Sequence, residues 1–302
     1  MSAPHSFQRD EIIRKKRNKR LLKYGLLFLG FIVSIALLSY ISHLKSLRVS
    51  TIELEGGVLV TQKDISAETL KLLSGSYLWL FPRDNSLIYP KTELEKKLRE
   101  KFKRIDRISI SSKNPTTIVV TITERQAKSL WCDTLPGKAE VRTIQTEDAS
   151  TTEQVIIPPR NNQGTCYFMD DNGMIFTEAP QFSGDAYFKY YGLISSTSPI
   201  GSTYTASTTT FRTLADFVTR MQLIGIDPEY LVGTPNNEYT VFISGGGKIY
   251  FDVTEPLSKT GDNLEALLHA PAFATGTRSH MPVDYIDLRF GNKLFYKLRS
   301  TE

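Results

Sequence analysis

Residues 98–124, LREKFKRIDRISISSKNPTTIVVTITE, hold the passage on which the fold turns: the end of a helix, then two strands joined by one turn. Leu98 and Phe102 continue an i, i+4, i+8 stripe that starts at Leu94, the spacing of one helix face. The helix opens near Pro90, because proline suits a first turn, and Lys96, Lys97, Arg99, Glu100 and Lys101 read as its solvated side. After it, Ile108 and Ile110 alternate with polar residues across Ile105–Ser111. Asn114-Pro115-Thr116 supplies a turn, and Ile118–Thr123 is a β-branched run. Upstream, Thr61–Leu73 carries a helical stripe of Ile65, Thr69, Leu70 and Leu73, stopped by Gly75. Tyr77–Tyr89 is an aromatic-rich connector with Trp79, Phe81 and Pro82. Leu47–Glu55 reads as a strand ending at Gly56-Gly57. The order is strand, helix, helix, strand, strand.

Further upstream, Tyr24–Leu44 contains no charged residue and is dominated by Leu, Ile, Phe and Val. Its 21 residues match the length needed to cross a bilayer. Tyr24 and Tyr40 sit near its ends, where aromatic rings prefer the interface. The 302-residue chain carries a formal net charge of +5, but residues 1–23 alone hold +6. The basic excess is therefore a tail rather than a nucleic-acid-reading surface, and a positive flank of this kind stays cytoplasmic. The C-terminal part is then expected outside the cytoplasm. A cleaved signal peptide is the other reading; the long apolar stretch and the absence of a small-x-small site argue against it.

Beyond residue 125 the pattern becomes mainly strands. Ala127–Trp131 is a strand that stops at Cys132, and residues 133–165, rich in Thr, Glu, Gln, Pro and Asn, read as a long mobile loop. Cys166–Phe176 reads as a hairpin about Asp171-Asn172-Gly173, with Asn-Gly supplying positive φ angles. Asp170-Asp171 is read as turn-forming rather than metal-binding, because no His or further carboxylate completes a shell. A helix over Ser207–Leu223 presents Leu214, Phe217, Val218 and Met221 on one face. Strands follow at Glu229–Val232, Tyr239–Ile243 and Lys248–Val253, the last two around Ser244-Gly245-Gly246-Gly247. No Walker lysine–serine pair follows these glycines, so they read as a hairpin turn. A helix covers about Pro256–Ala270, and Val283–Phe290 and Lys293–Leu298 flank a Gly291-Asn292 turn, expected as type II′.

The first half, placed directly after an anchor, resembles a POTRA domain. The resemblance rests on Glu55-Gly56-Gly57, the helix ending before Gly75, Leu98-Arg-Glu-Lys-Phe102 feeding Ile105-Asp-Arg-Ile-Ser-Ile110, and the Asn114-Pro115 turn into the last strand. Thr121-Ile-Thr-Glu-Arg-Gln126 is similar to the strand end by which the bacterial cell-division family FtsQ (DivIB) passes into its second domain. Tyr285-Ile-Asp-Leu-Arg-Phe290 and the Tyr167–Phe176 hairpin resemble elements of that family's β-domain. The insertion at 133–165 and the cysteine pair depart from the pattern. The expected fold class is α+β: a basic cytoplasmic tail (1–23), a transmembrane helix (24–44), a POTRA domain (47–125) of order β-α-α-β-β, and a mixed β-domain (126–302) with an antiparallel sheet and flanking helices.

The resemblance implies a non-catalytic, single-pass divisome scaffold in the bacterial cytoplasmic membrane at the division septum. It would bind FtsB (DivIC)-like and FtsL-like bitopic coiled-coil proteins and other divisome components, and so help regulate septal peptidoglycan synthesis. It implies no cofactor, nucleic acid or small-molecule substrate. Binding would be strand addition at the last strand, whose unpaired edge groups can pair with an extended segment. Carried over, Phe290 and Gly291 match the aromatic and turn positions; Lys293, Leu294, Phe295 and Tyr296 lie on the strand itself. The alternative for these aromatics is packing on their own domain.

Cys132 ends one expected strand and Cys166 begins another, so the two are placed either for a disulfide or as buried thiols. No catalytic site assembles from sequence. His5, His43, His269 and His280 lack a recognisable nucleophile setting, and no His-Glu-x-x-His, Gly-x-Ser-x-Gly or dinucleotide fingerprint occurs. A POTRA-containing secretion or envelope-assembly component and an anchored cell-wall enzyme remain the competing classes.

Overall fold

An uncharged apolar stretch behind a basic one forms one continuous helix, α1 (His5–Ser42). The computed structural model describes residues 5–136, 140–145, 152–157, 164–181, 186–194, 198–273 and 281–299. Within α1, Lys16–Ser42 is long and apolar enough to cross a membrane. The helix stops two residues short of the expected Leu44, whose backbone is extended (φ −62°, ψ 131°) before a single 3₁₀ turn at Lys45–Leu47. Ser42 is held where it ends: Asn85 Nδ2 donates to its carbonyl and its hydroxyl, both at 3.0 Å.

The chain divides into two units, Met1–Glu124 and Arg125–Glu302. In the first, β1 (Thr51–Glu55) begins later than expected. Residues 47–49 instead bond to the connector, with Ser86 N–H donating to the Leu47 carbonyl at 2.9 Å and Val49 N–H to the Asp84 carbonyl at 2.7 Å. Helix α2 (Gln62–Leu73) is capped by Thr61, whose hydroxyl accepts from the Asp64 N–H at 3.2 Å. The connector holds a small hairpin, β2 (Ser76–Tyr77) and β3 (Phe81–Pro82), absent from the sequence expectation. Helix α3 (Lys91–Lys101) has Pro90 at its cap rather than inside its first turn.

Strands β4 (Ile105–Asn114) and β5 (Thr117–Glu124) pair antiparallel, and β1 adds parallel to β5, giving the sheet order β1-β5-β4. The apolar faces of both helices (Ile65, Leu73, Leu94, Leu98) pack with Ile52, Ile105, Ile110, Ile118 and Val120. Gly56 takes φ +82° where a Cβ would sit 2.3 Å from the Ile122 carbonyl oxygen, so the turn out of β1 admits only glycine. The following loop is pinned from the last residue of β5: Glu124 Oε1 accepts the N–H groups of Val58, Leu59 and Val60 at 2.8, 2.8 and 2.9 Å. Burial pushes the Glu124 carboxyl up, but these three donors outweigh it and hold it below the usual carboxylate range.

The second unit is built on β6 (Ser129–Cys132), β9 (Cys166–Met169), β10 (Ile175–Glu178), β11 (Lys189–Gly192), β12 (Pro228–Gly233), β13 (Glu238–Ile243), β14 (Gly247–Asp252), β15 (Val283–Phe290) and β16 (Lys293–Leu298). They form one sheet in the order β10-β9-β6-β11-β12-β13-β14-β15-β16. It is mostly antiparallel, with parallel pairs at β6·β11, β11·β12 and β14·β15. Helices α4 (Thr208–Leu223) and α5 (Leu257–Leu268) cover one face. Their Phe211, Leu214, Phe217, Met221, Leu257 and Leu264 pack on Leu231, Val241, Ile249, Phe251, Val283 and Ile286.

Two expectations are corrected here. Within 133–165, residues Glu140–Gln145 (β7) and Thr152–Ile157 (β8) pair antiparallel as a separate hairpin rather than lying in a loop. Val141, Thr143 and Ile144 opposite Ile156, Gln154 and Glu153 give these segments strand character despite their polar composition. Residues 137–139, 146–151 and 158–163 of the expected loop lie outside the described residues. The Asp171-Asn172-Gly173 turn is also not a two-residue Asn-Gly turn: of those two residues only Gly173 has positive φ (+73°). The buried Asp170 carboxylate organises the turn, its Oδ1 accepting the N–H groups of Asn172 and Met174, each at 2.9 Å.

Candidate partner-binding edge

The two ends of the nine-stranded sheet differ in what covers them. At β10, the Ile175 N–H donates to the Ser202 carbonyl at 2.9 Å, and the Gly201 N–H donates to the Ile175 carbonyl at 2.7 Å, so an incoming loop occupies the edge. At β16, no described strand pairs with the outer side. A sheet edge of this kind presents unpaired N–H and C=O groups.

Each carried-over residue has a definite place there. Gly291 opens the β15–β16 turn with φ +63°, and Asn292 is not in the left-handed region, as a type II′ turn requires. Asn263 Nδ2 on α5 donates to the Gly291 carbonyl at 2.9 Å and fixes the turn against the helix. Phe290 and Phe295 are exposed, and their rings meet edge to face at 5.2 Å. Leu294 is half-buried and packs on the main core. Tyr296 stands opposite buried Ile286, its ring 5.2 Å from Phe273, yet it is still 42% exposed. Lys293 pairs with Phe290 across the turn and is exposed. The edge therefore exposes Phe290 and Phe295 on one face of the sheet and Tyr296 and Leu298 on the other, the face on which Leu294 packs on the core.

Sequence reasoning missed what surrounds these residues. On the sheet face away from α4 and α5, Tyr230 stacks on Phe242 at 4.5 Å, and Lys248 lies 5.5 Å over Phe242. Tyr250 and Tyr285 follow at 6.2 Å, and Arg289 spans Tyr250 and Phe290 at 5.4 and 6.0 Å. An aromatic and cationic row thus runs from β12 to the open edge. Arg289 is fixed by Asp287 at 2.6 Å and Glu238 at 3.1 Å. Burial pushes the Asp287 carboxyl up, but its hydrogen bonds and charge contact with Arg289 prevail and hold it low. The alternation of Arg289 with the buried Asp287 was visible in sequence; the cross-strand neighbours were not.

Elsewhere, Cys132 and Cys166 are register partners on β6 and β9 and form a disulfide. Asp170 is ion-paired with Arg125, and both side chains are at least nine-tenths buried. Among the described residues no group of three or more His, Cys, Asp and Glu side chains is arranged to hold a metal ion. His43 donates from Nδ1 to the Ser39 carbonyl at 2.8 Å and His269 caps α5; His280 lies outside the described residues. The chain matches no protein-family model and no curated protein.

Proposed function

We propose that this protein is a membrane-anchored, non-catalytic scaffold of the FtsQ/DivIB kind. In this reading α1 crosses the cytoplasmic membrane with its basic end inside, the first unit is a POTRA domain, and the second presents a strand-binding edge outside. The carrying observation is the open side of β16, flanked by exposed Phe290, Phe295, Tyr296 and Leu298. Strand addition there gives main-chain hydrogen bonds for affinity and aromatic contacts for specificity. Lys293 guards the edge against self-pairing, as lysines on free edges do, whereas Lys297 is already ion-paired with Asp284 on β15 at 3.0 Å. FtsB (DivIC)-like and FtsL-like bitopic proteins at the septum are the proposed partners, and control of septal peptidoglycan synthesis is the proposed output.

The test is a photo-crosslinking amino acid at position 295, activated in membranes of dividing cells. Capture of a small bitopic coiled-coil protein supports the reading. Capture of secretion clients or an envelope-assembly factor replaces it with the assembly-component reading.

A further inference from the structure

The β2–β3 hairpin turns through Leu78 and Trp79 with φ +48° and +60°, and the Leu80 N–H closes the turn on the Tyr77 carbonyl at 3.0 Å. Glycine or asparagine normally fills two such positions; bulky residues are outliers there, and outliers of this kind gather at functional sites. The conformation throws both side chains outward: Leu78 is 84% and Trp79 93% exposed. No residue from Tyr77 to Pro82 is charged.

The place of this tip identifies what it meets. The Ser39 hydroxyl donates to the Leu80 carbonyl at 2.6 Å. Ser39 lies inside the apolar span, three residues before the helix end at Ser42, about 4.5 Å along the axis at 1.5 Å per residue. Among the α1 residues whose side chains are described, only Ile35, Ser39 and Ser42 are less than exposed, and their spacing puts them on one helix face. Behind the tip, Arg83 lies 5.5 Å over the Tyr77 ring and bonds Glu93 at 2.6 Å, so the charged groups begin where the apolar ones end. Tyrosine and tryptophan in this setting are residues of the membrane–water interface.

We propose that the Tyr77–Leu80 tip is a second membrane contact, with Leu78 and Trp79 entering the headgroup–acyl boundary of the leaflet in which α1 ends. This rests on the reading of α1 as a membrane span. The occupant is the lipid bilayer, because the tip is bonded to a residue within the span and is uncharged where it protrudes.

The full chain is reconstituted in phosphatidylcholine–phosphatidylglycerol vesicles, with and without lipid brominated in the upper acyl chain. Flotation reports on the span. Trp79 fluorescence is isolated by subtracting a Trp79→Phe chain, which retains the buried Trp131. The expected result is a floating protein whose Trp79 emission is blue-shifted, shielded from acrylamide and quenched by roughly half, as for a ring about 5–10 Å into the boundary. A floating protein with unquenched, acrylamide-accessible Trp79 overturns the tip contact, leaves the span standing and points to an aqueous partner. A protein that stays at the bottom of the gradient removes the span and this inference with it.

Discussion

Phe290 and Phe295 face each other across the Gly291–Asn292 turn with ring centroids 5.2 Å apart and planes at 89°, and each ring keeps about half its surface in water. Two large rings held edge to face without burial form a preorganised apolar shelf beside an open strand. On the proposed function, replacing both by alanine is expected to weaken binding of the proposed bitopic partner's segment by about 2 kcal/mol, roughly thirtyfold. Calorimetric titration checks the affinity, and an unchanged melting temperature checks that the fold is intact. Unaltered affinity in the double variant would remove the shelf from the binding surface.

Arg289 joins the shelf to the sheet. Arg289→Ala leaves the buried Asp287 carboxylate without its charged partner and is expected to cost about 1–3 kcal/mol at neutral pH. The sign of its pH dependence follows from Asp287. In the natural chain that carboxyl is held low, so it stabilises the fold above the unfolded aspartate pKa and loses this as pH falls. In the variant the guanidinium's hydrogen bonds and charge are gone and only the residue-289 backbone N–H still donates to the carboxylate, so burial weighs more heavily; the penalty is present at neutral pH and shrinks on acidification. Urea unfolding of both chains at pH 7 and near pH 4 should show the gap between them narrowing.

The Cys132–Cys166 bridge closes a segment of sequence separation 34. On the loop-entropy account, removing it with Cys132→Ser and Cys166→Ser should cost about 3–4 kcal/mol. Denaturant titration of the double variant measures this. Because the cross-link constrains the unfolded chain, the natural protein under reducing conditions should behave like the variant.

Glu124→Ala should release the loop at 58–60 and cost about 1–2 kcal/mol, since water can replace the carboxylate at the exposed Val58 and Leu59 amides. The lowered carboxyl makes this contribution complete above the ordinary glutamate pKa of about 4.3 and lost as pH falls through the folded value. Amide exchange at Val58, Leu59 and Val60 should accelerate in the variant at neutral pH. Unchanged exchange would show that the carboxylate does not order the loop.

Long periodic segments were legible in the sequence because one face of each meets a core: Leu94 and Leu98 in α3, Phe217 and Met221 in α4, Val241 and Ile243 in β13. Lys189–Gly192 was not legible. It is only four residues, its Tyr190 and Tyr191 are buried toward different clusters, and it shows no one-sided alternation, yet it joins β6 to β12 in the middle of the sheet. The β7–β8 hairpin was hidden by Thr, Glu and Gln composition. The open edge could be read from the last alternating run. The aromatic row behind it could not, because Tyr230–Phe242 and Arg289–Tyr250 are contacts between strands and depend on register.

The join between α1 and the rest of the first unit is short and bonded on both sides of the helix end. Asn85 grips Ser42, Arg48 holds Asp84 at 2.7 Å, and the Ser86 N–H reaches back to Leu47 within a few residues of the helix end. Such bonds couple the helix end to the rest of its unit, so a twist or tilt of α1 is expected to carry that unit with it. On the proposed reading of α1 as a membrane span, a neighbouring helix that turned α1 would turn the rest of that unit with it. Splicing a few glycines after Ser42 would turn this driven shaft into a swivel.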